Sequence, residues 1–150
     1  MVPTQVMLNA VAAEIKADTT VLANSLFLLV ALVIAPFVPG AGIVLADLTL
    51  ATFTGYAAIA NTSAVILAYT DPATGEWIIE VPTPAGGWHW QVITNTTNLP
   101  QTVYGFALLD NTGAIVYGTA LLPAPVLLNA IGQGLDVPAV TFRLSAAALS

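Results

Sequence analysis

"SLFLLVALVIAPFVPGAGIVLADL", Ser25 to Leu48, decides how the rest of the chain is read. No charged residue occurs from Thr19 to Ala46. The stretch is either a membrane span or a strand in a very apolar shell. A transmembrane helix needs roughly 20 consecutive apolar residues. The best run here, Leu26 to Ala35, has ten. Pro36, Pro39 and the turn signal Gly40-Ala41-Gly42 follow it. Proline inside a helix removes a hydrogen bond and clashes with the preceding turn, costing about 3 kcal/mol. The flanks carry no Trp, Tyr, Lys or Arg to anchor a span. Ten residues bounded by Asn24-Ser25 and Pro36 fit better as a strand buried on both faces or at a subunit interface.

Composition supports an assembly rather than a free monomer. The 150 residues suit one domain. Hydrophobic residues make up 57% and charged ones 7%, against about 25% charged in an ordinary soluble domain. Mean hydropathy is +0.88. A surface with so few charges exposes apolar patches, and such patches mark interaction sites. Obligate interfaces resemble a domain core cut in half. Lys16 and Arg143 are the two basic residues, and the net charge is −6. Neutralising nucleic-acid phosphates takes clustered Lys and Arg, so no nucleic-acid partner is expected. No basic cluster orients a membrane topology either, and a membrane partner is disfavoured. Cysteine is absent, which removes disulfides and thiolate metal sites. The N-terminal "MVPTQVMLNAVAAEIKAD" lacks the basic-then-apolar order of a signal peptide.

Outward from the apolar run, the chain divides into an N-terminal helix or arm, residues 1–24, and a β domain, residues 25–150. Thr4 to Asp18 predicts a short, weakly amphipathic helix with Val6, Ala10, Val11, Ala13 and Ile15 as its apolar positions. A helix this short is marginal alone and must dock or order on assembly. From Ser25 onward strands alternate with turns. "SAVILAYT" (Ser63 to Thr70), the turn "DPATGE" and "EWIIEV" (Glu76 to Val81) predict a hairpin with a four- or five-residue loop. "WHWQVIT" (Trp88 to Thr94) alternates with period 2. "TVYGFALLD", the turn "DNTG" and "AIVYGTALL" form the clearest hairpin, which "PAP" (Pro123 to Pro125) ends. "VLLNA" and "GLDVPAVTFRLS" close the series. About eight short strands with Pro and Gly between them predict an all-β fold, a β-sandwich or jelly-roll-like barrel.

Catalytic chemistry finds little support. His89 is the single histidine and no Gly-x-Ser-x-Gly elbow occurs. A strand residue between two tryptophans is the reading it favours. Glu76 and Glu80 share a strand face, but strand rise separates their Cα atoms by roughly 13 Å. That exceeds the carboxyl spacing of glycosidases, about 5 to 9.5 Å. No phosphate-binding or dinucleotide fingerprint is present. No convergent acid, base and nucleophile emerge, so neither an enzyme nor a cofactor or metal site is expected. Trp77, Trp88 and Trp90 admit one other reading, a carbohydrate-binding or host-attachment module whose rings stack on sugars. Core or interface anchors are the reading preferred for them.

"VALVIAPFVPGAGIVLADLTLATFTGYAAIA" (Val30 to Ala60) resembles a pattern in small structural proteins of tailed bacteriophages and prophages. The matching positions are Leu45, Asp47, Leu48, Thr49, Ala51, Phe53, Gly55 and Tyr56. "NLPQTVYGFALLDNTGAIVYGTALLPAPVLLNAIGQGLDVPAVTFRL" (Asn98 to Leu144) is similar to the C-terminal half of the same group. The resemblance covers about half of the chain and its motifs are structural. It implies a virion component, foremost a capsid decoration or cement protein. Such a protein sits on the capsid exterior as a homotrimer and bridges major capsid protein subunits. An acidic body suits an outer position, away from packaged DNA. Candidate interface residues are Val6, Val11 and Ile15 in the arm, and Leu26, Phe27, Leu29 and Phe37 in and after the apolar run. The aromatic positions Phe53, Tyr56, Trp88, Trp90 and Tyr104 complete the set.

Overall fold

In the computed structural model, residues 2–9, 28–60, 67–70, 73–81, 88–110, 112–137 and 140–144 are described. The strands among them are β1 (Val2–Pro3), β2 (Leu28–Val33), β3 (Ile59–Ala60), β4 (Leu67–Thr70) and β5 (Trp77–Val81). They continue with β6 (Trp88–Gln91), β7 (Gln101–Asp110), β8 (Val116–Leu128), β9 (Gly134–Val137) and β10 (Val140–Leu144). The fold is all-β, as the strand-and-turn pattern predicts. A five-stranded sheet has the order β1-β8-β7-β2-β3, a three-stranded sheet the order β10-β5-β4, and β6 pairs with β9. Every pairing is antiparallel.

The apolar run enters the middle of the five-stranded sheet. β2 pairs with β7 from Leu28 opposite Asp110 to Val33 opposite Gly105. Successive strand side chains point to opposite faces, and here both faces are covered. Val30 and Leu32 join Phe106 and Leu108 in one apolar layer, closed by Trp88, Trp90, Leu135 and Val137 of the β6–β9 ribbon. Ala31 and Val33 join Ala107, Leu109 and Val116 in a second layer, closed by Leu48 with Phe37, Ile43, Leu45 and Leu50. A strand buried on both sides has no use for polar alternation. The latter part of the opening stretch therefore folds back over the strand it follows. Ile34 N–H donates to Thr49 O at 2.8 Å, Ala51 N–H to Leu32 O at 3.0 Å, and Val33 bridges to Leu50. A 3-10 turn at Leu45–Asp47 is held by Val44 N–H donating to Asp47 Oδ2 at 2.9 Å. No helix among the described residues is long and apolar enough to cross a membrane.

Several expected boundaries move. Pro123 and Pro125 do not end a strand. They sit within β8, where Val103 opposes Val126 and Gly105 opposes Leu121. Residues 122–125 thus loop out against Tyr104 alone. Proline donates nothing to a ladder and is tolerated at such a bulge. A second irregularity places Tyr117 as an extra residue between Leu108 and Leu109. In the β4–β5 hairpin Thr70 pairs with Trp77, so the connection is residues 71–76, longer than predicted. The C-terminal run splits, β9 pairing with β6 and β10 with β5.

Of the segment expected as an N-terminal helix or arm, residues 2–9 are described. β1 pairs with β8, Val2 opposite Thr119 and Pro3 opposite Gly118. The buried Thr4 hydroxyl donates to Val116 O at 2.6 Å and accepts Met7 N–H at 3.3 Å, capping a helical turn over 5–9. Met7 is fully buried in the first layer. Residues 2–9 are part of the β body, not an arm beside it. Residues 10–24 lie outside the described residues.

Candidate interaction surfaces

The twelve expected interface residues do not converge. Val11, Ile15, Leu26 and Phe27 lie outside the described residues. Phe53, Trp88 and Trp90 are closed into the first layer, with Trp88 fully inaccessible. Their assignment as partner-facing anchors is corrected: β6 turns both indoles inward and His89 and Gln91 outward. Tyr56 is half-buried, its hydroxyl accepting Leu32 N–H at 2.9 Å. Burial pushes that phenol above its ordinary value, against the lowering effect of the Leu32 bond. Leu29 and Phe37 are half-buried on the second layer. Tyr104 is half-buried opposite the β8 bulge. Among the described residues of the set, Val6 alone is a largely exposed aliphatic side chain, 49% accessible.

Val6 marks one edge of an apolar groove of about 240 Å³. Ile43, Val44 and Leu45 form a second edge, and Ala114, Ile115 and Val116 a third. Each edge is fixed locally. Val6 rides on the turn that Thr4 caps. Ile43–Leu45 leads into the 3-10 turn tied by Asp47. Ala114 and Ile115 leave the β7–β8 turn, where both N–H groups donate to Asp110 Oδ1 at 2.9 Å. Thr112 Oγ1 donates to Asp110 Oδ2 at 2.6 Å. Burial raises the Asp110 carboxyl, but the Thr112 hydroxyl and the Ile115, Ala114 and Thr112 backbone bonds outweigh it and hold the group below its ordinary value. Nearby Tyr117 is pushed up by burial and then by the Asp110 charge. The groove lining contains no ionisable residue. Val44 and Ile115 are 55% and 42% accessible. Sequence reading missed both, because each sits in a short apolar run whose outward-facing residue only the fold identifies.

A second recess of about 350 Å³ runs between β6 and the segment 53–59. Phe53, Gly55, Ala57 and Ile59 form one wall, and His89, Trp90, Gln91 and Ile93 the other. Trp90 Nε1 donates to Ala57 O at 2.9 Å and ties the walls together. His89 and Asp136 are cross-strand partners on β6 and β9, with Nδ1 and Oδ1 2.5 Å apart. Gln91 Nε2 donates to Gly132 O at 3.1 Å. A histidine held by a carboxylate is the base half of a hydrolytic triad. Among the described residues Asp136 is the one hydrogen-bond partner of His89, so no nucleophile completes it. No group of three or more His, Cys, Asp or Glu gathers among the described residues. Compared with protein-family models, curated proteins and solved structures, the chain matches none.

Proposed function

We propose that this chain is a structural virion protein, a decoration or cement protein that binds the outer face of a tailed-phage capsid and bridges major capsid protein subunits. The observation that carries the reading is the uncharged groove at which Val6, Val44 and Ile115 are exposed. An acidic chain that leaves one apolar, charge-free recess open presents a surface suited to adhesion. Full burial of a Val or Ile side chain stabilises by about 1.5–3 kcal/mol. A contact of that size, repeated over a lattice, resists the pressure of a packaged genome. The homotrimer at three-fold positions belongs to the same proposal, as does the capsid exterior, which an acidic body favours over proximity to DNA.

Quantitative mass spectrometry of purified virions tests it first. A ratio near one copy per capsid subunit is expected, and absence from particles overturns the proposal. Add-back to particles stripped of the protein then tests the groove. Val6→Asp, Val44→Asp and Ile115→Asp combined should abolish lattice binding. Val38→Asp, at an exposed position outside the groove, should bind as the unaltered chain does. Equal binding by both variants removes the groove from the contact.

A further inference from the structure

The recess beside β6 is independent of the adhesive groove and has different chemistry. We propose that it binds a neutral, hydroxyl-rich ligand, a saccharide ring. Its volume of about 350 Å³ falls within the range of small-molecule sites, about 300–1,000 Å³. The walls are held before any ligand arrives. The Trp90–Ala57 bond joins them, Tyr56 is fixed to β2 through Leu32, and the Phe53 and Tyr56 rings meet at 5.2 Å with a 60° tilt.

Ligand class follows from which polar ends are used and which are left. An ionised carboxylate only accepts, so His89 Nδ1 carries the proton shared with Asp136. The ring's Nε2 is then left for a ligand. Gln91 gives one of its two amide N–H groups to Gly132 O, which leaves the other N–H and the acceptor Oε1. No described residue donates to His89 Nε2 or Gln91 Oε1. The two residues are two positions apart on β6, about 7 Å along a strand, a separation that hydroxyls of one hexose-sized ring can bridge. A hydroxyl both donates and accepts, and so matches a ring nitrogen and an amide with an N–H and an oxygen to spare. No Lys or Arg lines the recess to receive an anion, and the nearby Asp136 is engaged by His89. Ile59 and Ile93 supply apolar contact, which suits the C–H face of a sugar. Stacking on Trp88 plays no part, since that ring is closed into the core.

A glycan array carrying neutral and sialylated glycans, probed with the full chain, tests the assignment. NMR titration follows with the methyl glycoside of the neutral sugar retained most strongly. Neutral glycans should bind, and added sialic acid should not improve binding. His89→Ala and Gln91→Ala should each weaken the neutral sugar about five- to tenfold, the loss of one hydrogen bond. Ala57→Trp, which fills the recess from its exposed wall, should abolish binding, while Val6→Asp leaves it unchanged. Thermal melts of each variant separate loss of fold from loss of the site, and the recess variants perturb two segments, β6 and the opposite wall. The proposal is overturned if no neutral glycan binds the unaltered chain, if charged glycans are preferred, or if folded His89→Ala, Gln91→Ala and Ala57→Trp bind undiminished.

Discussion

A Cβ built on Gly105 would collide with the carbonyl oxygen of Ala120 on β8 and lie 2.8 Å from Phe37 Cζ. The glycine is required by what covers it: the Phe37 ring lies against the bare backbone and seals the second layer there. Gly134 makes the same kind of approach to Trp90 O across the β6–β9 pair. Gly42 is different, with no atom within 4 Å of its added Cβ. Gly105→Ala should therefore destabilise by about 1–3 kcal/mol through forced displacement of Phe37 and β8. Gly42→Ala should be neutral or stabilise by up to about 1 kcal/mol, because it restricts the unfolded chain. Urea unfolding of the two variants checks this. Equal midpoints would mean that β7, β8 and Phe37 do not approach as closely as described.

The β7–β8 hairpin ties the largest sheet to the apolar groove, and its turn depends on one carboxylate. Asp110 accepts from the Ala114 and Ile115 N–H groups and the Thr112 hydroxyl. Its pKa lies below the ordinary 3.8 in the fold. A depressed carboxyl contributes stability above its unfolded value and loses it as pH falls through the folded one. Between pH 7 and pH 3 the melting temperature of the unaltered chain should fall further than that of Asp110→Asn, which has no charge to lose. Parallel falls would show that this turn does not respond to acid. The turn was legible in sequence because Asp, Asn, Thr and Gly stand together between two apolar runs. β2 was legible for a related reason: burial on both faces leaves an unbroken apolar run. The course of β8 was not. Pro123 and Pro125 read locally as a stop, and only pairing with β7 on both sides of the bulge carries the strand through. The inward turn of Trp88 and Trp90 was visible as alternation, but which face met the core depended on β9, more than 40 residues away.

Across the whole molecule, the two proposed binding surfaces are assembled from distant segments. The groove joins residues 6, 43–45 and 114–116, and the recess is bordered by a His–Asp pair 47 positions apart. Neither has a local motif, so composition pointed toward adhesion while the residues that line the two surfaces stayed hidden until the fold joined them. Composition also separates two kinds of adhesion. With a net charge of −6 and two basic residues, attachment could rest on charge attraction to a basic shell or on apolar contact. The groove lining has no ionisable side chain. Attachment through it should therefore resist salt, because screening weakens interactions between exposed charges, with a Debye length of about 3 Å at 1 M. Sulfate should strengthen it, since excluded salts favour apolar burial. Co-sedimentation with stripped capsids across a sodium chloride series, repeated in sodium sulfate, measures this. Retention through molar chloride and a gain in sulfate are expected. Release as chloride rises would assign attachment to the acidic surface, and the groove would lose its place as the adhesive face.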